Sequence, residues 1–150
     1  MYHRIIRRLT LRSFQQVNEG RYEDLLTGCA TDITHKFGGD HALGGERHDV
    51  ESLRLWFARL NRLVPSLRLD VQEVWVKGWP WRTTAIARWT STGAYPDGSL
   101  YENHGVHVVR LRWGKAVSID ANEDSQAVER LLTAIAATGI AEAAATPITS

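Results

Sequence analysis

At 150 residues, with 18 Lys and Arg against 17 Asp and Glu and a net charge of +1, the chain reads as one ordinary globular domain, too weakly charged and too apolar for a disordered tail. Its basic residues are interleaved with acids, which argues against nucleic acid as a partner, and no run of about 18 apolar residues exists to cross a membrane. The single cysteine, Cys29, rules out an internal disulfide and fits a reducing, cytoplasmic setting.

The basic start MYHRIIRRLTLRSF lacks the unbroken apolar stretch and cleavage site of a signal peptide, so it is read as a helix, His3 to Asn18. Ile6, Leu9, Phe14 and Val17 form its apolar stripe, and Gly20 ends it. A short helix, Tyr22 to Thr27, and a strand, Thr31 to Phe37, follow. The Gly-rich segment from Asp40 to His48 has no period and is expected to be loop, a flap over a cavity mouth. Asp49 caps the next helix, which runs to Leu63 and is stopped by Pro65. Four long antiparallel strands come next: Leu67 to Lys77, Trp81 to Thr92, and two more between Tyr101 and Asp124. A closing helix, Gln126 to Ala137, completes a domain over residues 1–138, and residues 139–150 are expected to be a flexible tail.

The segment YENHGVHVVRLRWGKAVSIDANED carries the candidate chemistry. If Arg112 pairs with Lys115 around a two-residue Trp113-Gly114 turn, His107 falls opposite Asp120, with Cβ atoms roughly 5 Å apart on one sheet face. A carboxylate beside an imidazole makes a base able to work near neutral pH, so Asp120 and His107 are the expected catalytic pair. A three-residue turn would shift the register by one and part them.

Around that pair the expected ligand pocket takes in His35, Trp56, Trp75, Trp89, Tyr101, Asn103 and Asn122. Trp89 shares a face with Ala85, Ala87 and Ser91, leaving room for a flat or ring-shaped apolar ligand. His35, Asp40, His41 and His48 match no zinc spacing, and the glycine pairs lack the Lys-Ser/Thr of a phosphate loop, so neither metal nor cofactor is expected. Arg88, Arg110 and Arg112, with Val106 and Val108, form the opposite sheet face, suited to pairing with a second copy.

The helix pair from Phe14 to Leu26, the helix VESLRLWFARL, the WTSTG strand and GVHVVRLRWGKAVSIDANED together resemble the nuclear transport factor 2-like superfamily, and more narrowly SnoaL-like and ketosteroid-isomerase-like proteins. The resemblance implies an α+β fold, a curved antiparallel sheet wrapped around helices as a cystatin-like cone with a conical pocket. It also implies homodimerisation through the sheet and, in its catalytic members, a carboxylate that removes a proton beside a carbonyl. On that footing the chain is a small-molecule-binding domain, as an isomerase, cyclase or hydratase without cofactor. The alternatives are a non-catalytic module for a small apolar ligand and a dimeric interaction domain, because the superfamily includes both.

Overall fold

The computed structural model describes all 150 residues. In chain order the elements are α1 (Tyr2–Asn18), α2 (Tyr22–Thr27), β1 (Cys29–Phe37), β2 (Gly45–Arg47), α3 (Val50–Leu63), β3 (Arg68–Trp79), β4 (Arg82–Ala94), β5 (Leu100–Arg112), β6 (Lys115–Glu123) and α4 (Ser125–Ala137). A 3-10 turn, Ala141–Ala144, follows. The strands make one open sheet in the order β2-β1-β6-β5-β4-β3. Helices cover one of its faces, giving the expected α+β cone.

Local chemistry explains where α3 and α4 begin. The Asp49 side chain accepts from the Ser52 amide at the start of α3, and Asp124 accepts from Gln126 and Ala127 at the start of α4, so each cap satisfies amides left orphaned by the first turn. α3 then buries Leu53, Trp56, Phe57, Leu60 and Leu63 against α4, β1 and Leu26. α1 lies across β3 and β4, with Phe14 against Val74, Ala87 and Trp89, and Ile6 against Ala85 and Leu111.

Three expectations change. The sheet is mixed, because β1 runs parallel to β6, with His35 beside Ile119 and Phe37 beside Ala121. Alternation of side chains is the same in either direction, so the sequence pattern carries no orientation. The segment read as loop contains β2, which pairs antiparallel with β1 and places Arg47 beside His35. Finally, the tail is docked. Ser150 bonds the His48 amide and the Ser52 hydroxyl, Arg59 donates to the Thr146 carbonyl, and Arg62 holds Glu142 through two nitrogens.

The turn between β5 and β6 has two residues, as expected, with Trp113 at φ 50° and Gly114 at φ 78°. Arg112 pairs with Lys115 and Leu111 with Ala116, but Arg110 pairs with Ser118. Val117 is therefore a β-bulge, and everything beyond it is moved by one residue. His107 lies opposite Ala121, and Asp120 lies opposite Val108.

Arg47 anchors the end of the sheet. Its side chain is wholly buried, has no carboxylate in ion-pair reach, and spends its donors on His35 Nδ1 and the carbonyls of Gly44, Gly45 and Ile148. Replacing it by methionine, close in volume, strands an imidazole nitrogen and three carbonyls. Arg47→Met should destabilise the fold by about 3 kcal/mol in urea denaturation, far more than a surface Arg→Met change.

Candidate functional site

The three apolar clusters do not merge into one core, because a cavity of about 400 Å³ lies between them. That volume suits a small organic molecule. Its floor is the inward face of the sheet: Trp89 and Ser91 from β4, Tyr101, Asn103, His107, Val109 and Leu111 from β5, and Ile119 and Glu123 from β6. α1 contributes Phe14 and Val17, α3 contributes Trp56, Phe57 and Leu60, and β1 contributes His35.

Gly105 makes room at the centre of this floor. A Cβ there would meet the Asn122 carbonyl at 2.3 Å and the Trp89 ring at 2.6 Å, so the indole lies directly on the backbone. Thus held, Trp89 Nε1 donates to His107 Nδ1 at 2.7 Å. An indole N–H can only donate, so Nδ1 must be bare and the imidazole proton must sit on Nε2. Burial holds the His107 pKa down to about 4, with the Asp120 charge opposing it weakly through the strand.

His35 repeats the device with other parts. Arg47 Nε donates to His35 Nδ1 at 3.0 Å, and a guanidinium is also donor-only. Burial, then the Arg47 charge, hold the His35 pKa well below its ordinary value. Each imidazole is thus neutral, with its Nε2–H left free on a wall of the same cavity.

Of the acids on β6, Glu123 lines the cavity and Asp120 does not. Glu123 pairs with Gly105, two positions from the His107–Ala121 pair and on the same face. Its Oε1 accepts from Ser125 Oγ at 3.2 Å, whereas Oε2 is buried with no partner. Burial pushes its pKa up to about 7. Asp120 and Asn122 face outward beside Val108 and Val106. Trp75, on β3, also faces outward and is 45% exposed, because inward positions there fall to Val71 and, after a bulge at Gln72, to Val74 and Val76. Those three expected residues stand outside the pocket.

The other expected pocket residues, His35, Trp56, Trp89, Tyr101 and Asn103, do line it. Besides Trp89, whose donor is on His107, two of them are already occupied. Trp56 Nε1 donates to the Leu43 carbonyl, and the Asn103 amide bridges Tyr101 Oη and both backbone groups of Asp124, tying β5 to the start of α4. Cys29 also lines the cavity, its thiol pushed up to about 11 by burial and so inert as a nucleophile near neutral pH. No three His, Cys, Asp or Glu side chains converge as a metal site.

The chain belongs to the SnoaL-like domain family, whose model matches residues 11–119. No curated protein sequence matches it. Among solved structures it is similar to an NTF2-like protein of Burkholderia pseudomallei, at 18% identity and a TM-score of 0.74 over 84% of this chain and 95% of that one. It is also similar to TerC crystallised with polyporic acid, at 20% identity and a TM-score of 0.68 over 84% and 96%. A candidate polyketide cyclase of Xanthomonas campestris pv. campestris matches at 16% identity and 0.64 over 89% and 99%. At these identities the structures establish the shared fold.

The two buried groups pull stability in opposite directions with pH. Glu123 has a folded pKa of about 7 against an ordinary 4.5, so the folded chain keeps a proton that the unfolded chain releases, and stability from this group falls as pH rises through that window. His107, at about 4 against 6.5, contributes stability that is present above 6.5 and lost as pH falls toward 4. Glu123→Gln removes the first effect alone. In urea denaturation the variant should match the parent near about pH 4.5 and exceed it by on the order of 1 kcal/mol near about pH 8, allowing for partial solvent screening of the carboxylate.

Proposed function

We propose that the chain is a cofactor-independent acid–base enzyme, of the isomerase, cyclase or hydratase kind, acting on a small apolar ring compound that carries a carbonyl. The observation carrying this reading is Glu123: a carboxyl with a pKa of about 7 and an unpartnered oxygen, on the wall of a cavity that also presents two neutral imidazole N–H donors. A carboxylate titrating near neutrality can take a proton from carbon and return it. The Nε2–H groups of His107 and His35 would hold the oxygen on which charge develops, and neutral donors do so without being deprotonated themselves. The apolar walls from Trp56, Phe57, Leu60 and Val109 would exclude water and fit a flat ring.

The family and the neighbour described as a candidate polyketide cyclase support small-molecule binding. The competing reading is a carrier with the same pocket and no turnover. β-Tetralone, a flat ring ketone with exchangeable protons beside its carbonyl, separates the two. In deuterated buffer the protein should accelerate exchange of those protons, with the rate rising as pH passes about 7. Glu123→Gln should lower the acceleration about a hundredfold, and Asp120→Asn should leave it within about twofold. Binding detected by tryptophan quenching with no exchange would favour the carrier and end the enzymatic reading.

A homodimer through the outer sheet face is part of the same proposal. Trp75, Ile86, Val108, Asp120 and Lys36 form one row across five strands, and Glu73, Arg88, Val106 and Asn122 another, so apolar groups are flanked by both signs of charge. Such a surface complements itself under a two-fold axis. Val108→Arg should halve the mass seen in sedimentation while leaving the β-tetralone signal intact. The reading extends to a cytoplasmic location, for which the lone thiol of Cys29 is the support.

A further inference from the structure

Three tryptophans stand exposed at one end of the cone. Trp79 and Trp81 flank the β3–β4 turn and Trp113 occupies the β5–β6 turn, with 66%, 53% and 68% of their surfaces open. They form one cluster: Trp79 stacks on Trp81 with centroids 6.0 Å apart, and Trp81 lies 6.2 Å from Trp113. Indoles left in water at this density mark a surface that meets something else.

The cluster is built, not incidental. Trp113 takes a left-handed backbone conformation, φ 50°, that a bulky residue rarely adopts, and its amide donates to the Pro80 carbonyl of the neighbouring turn at 2.6 Å. That bond fixes the two turns side by side. The first turn of α1 joins them, with His3 Nε2 on the Gly78 carbonyl and the Tyr2 hydroxyl on Thr83.

The charge around this end has one sign. Lys77, Arg82, Arg112 and Lys115 surround the two turns, and none forms an ion pair. No acidic residue occurs in residues 1–18, 74–96 or 103–119. On α1 the exposed apolar side chains Ile5 and Leu9 alternate with the exposed Arg8 and Arg12. Asp24 and Glu23 of α2 are paired with Arg21 and Arg54.

We propose that this end docks on an anionic lipid surface, the indoles seated at the headgroup level and the arginines and lysines on the phosphates. Tryptophan favours that boundary because one edge of the ring is apolar and the other donates a hydrogen bond. Cations add attraction to anionic headgroups. No helix is long and apolar enough to cross a membrane, and surface docking needs none.

The docking end is also where the cavity opens. The exposed members of the cavity lining are Leu9 and Arg12 of α1 and Arg21, Asp24, Thr27 and Gly28 around α2, where Asp24 is paired with Arg21, with Gly114 of the β5–β6 turn beside them. An apolar ligand dissolved in the bilayer would therefore enter without crossing water. The inference concerns where ligand comes from, and it stands whether the cavity performs chemistry or only carries.

Flotation of the intact protein with vesicles tests it. Vesicles of phosphatidylcholine mixed with an equal amount of phosphatidylglycerol should carry the protein upward, with a blue shift of tryptophan emission, and added salt should release it. Pure phosphatidylcholine should retain on the order of tenfold less. The double variant Trp79→Ser, Trp113→Ser, checked for native circular dichroism and an unchanged β-tetralone signal, should lose binding on the order of tenfold. Retention of that variant equal to the parent would mean adsorption by charge alone and would overturn the proposal. So would a blue shift that appears without lipid as protein concentration and mass rise, because a second copy would then be covering the tips. No flotation with either vesicle would overturn it outright.

Discussion

One extra residue, Val117, decides which side chains this cavity contains. Two strands joined by a two-residue turn keep strict opposition until a bulge intervenes, and beyond it every residue of β6 meets a partner one place displaced. Without the bulge Asp120 would face the cavity, opposite His107, and Glu123 would face outward. With it, Ile119 and Glu123 line the cavity, and Asp120 joins the outer face next to Lys36 of β1. The chemical character of the pocket changes accordingly. An acid at Asp120 would have been in line with the imidazole; Glu123, at the strand's end beside Ser125, is in a more enclosed place and keeps an oxygen without a partner.

That displacement was not legible in the sequence. Val117 is an ordinary β-branched strand residue, and no glycine or proline marks the irregularity. The helices were legible because their signals are local: the caps at Asp49 and Asp124, the stop at Pro65 and the stripe from Leu53 to Leu63 depend on neighbours within a turn or two. The inward face of β4 was legible for the same reason, since Ala85, Ala87, Trp89 and Ser91 are all buried as alternation requires. Trp75 was assigned to the pocket on residue type, against its own parity with Glu73 and Lys77, and parity prevailed. What long-range contact determines could not be read: the parallel pairing of β1 with β6, and a docked tail that depends on Arg47, a residue with no special local pattern.

The buried arginine and the buried indole solve one problem in two ways. A histidine in an apolar cavity can adopt either neutral tautomer, and a cavity that needs a donor must exclude the one that points a bare nitrogen at the ligand. Trp89 achieves this for His107 and Arg47 for His35, each by filling Nδ1 with a hydrogen that has nowhere else to go. The solutions are unequal in strength. Indole is neutral, so it orients His107 with little effect on the far nitrogen. Guanidinium carries a full charge, held away from water and offset only in part by Glu46, with no carboxylate bonded to it, and burial brings its own pKa down only to about 10, so it stays charged at neutral pH. Its field draws electrons through the His35 ring and makes that Nε2–H the better donor.

Under the proposed chemistry this inequality assigns the ends of the cavity. Negative charge developing on a ligand oxygen is stabilised most where the buried cation lies, which is the β1 side at His35 and Arg47. Glu123 must carry its own negative charge to act as base, and burial resists that until the pH reaches about 7. When Glu123 gives up its proton to solvent and then takes one from the ligand, the negative charge moves from a carboxylate in a confined wall to an oxygen facing two oriented donors. The raised pKa of Glu123 and the field of Arg47 therefore act on the same step, one weakening the hold on charge at the base and the other strengthening it at the ligand. A pocket with the same shape but with Arg47 exposed, or paired with an acid, would keep the base and lose the second of these effects.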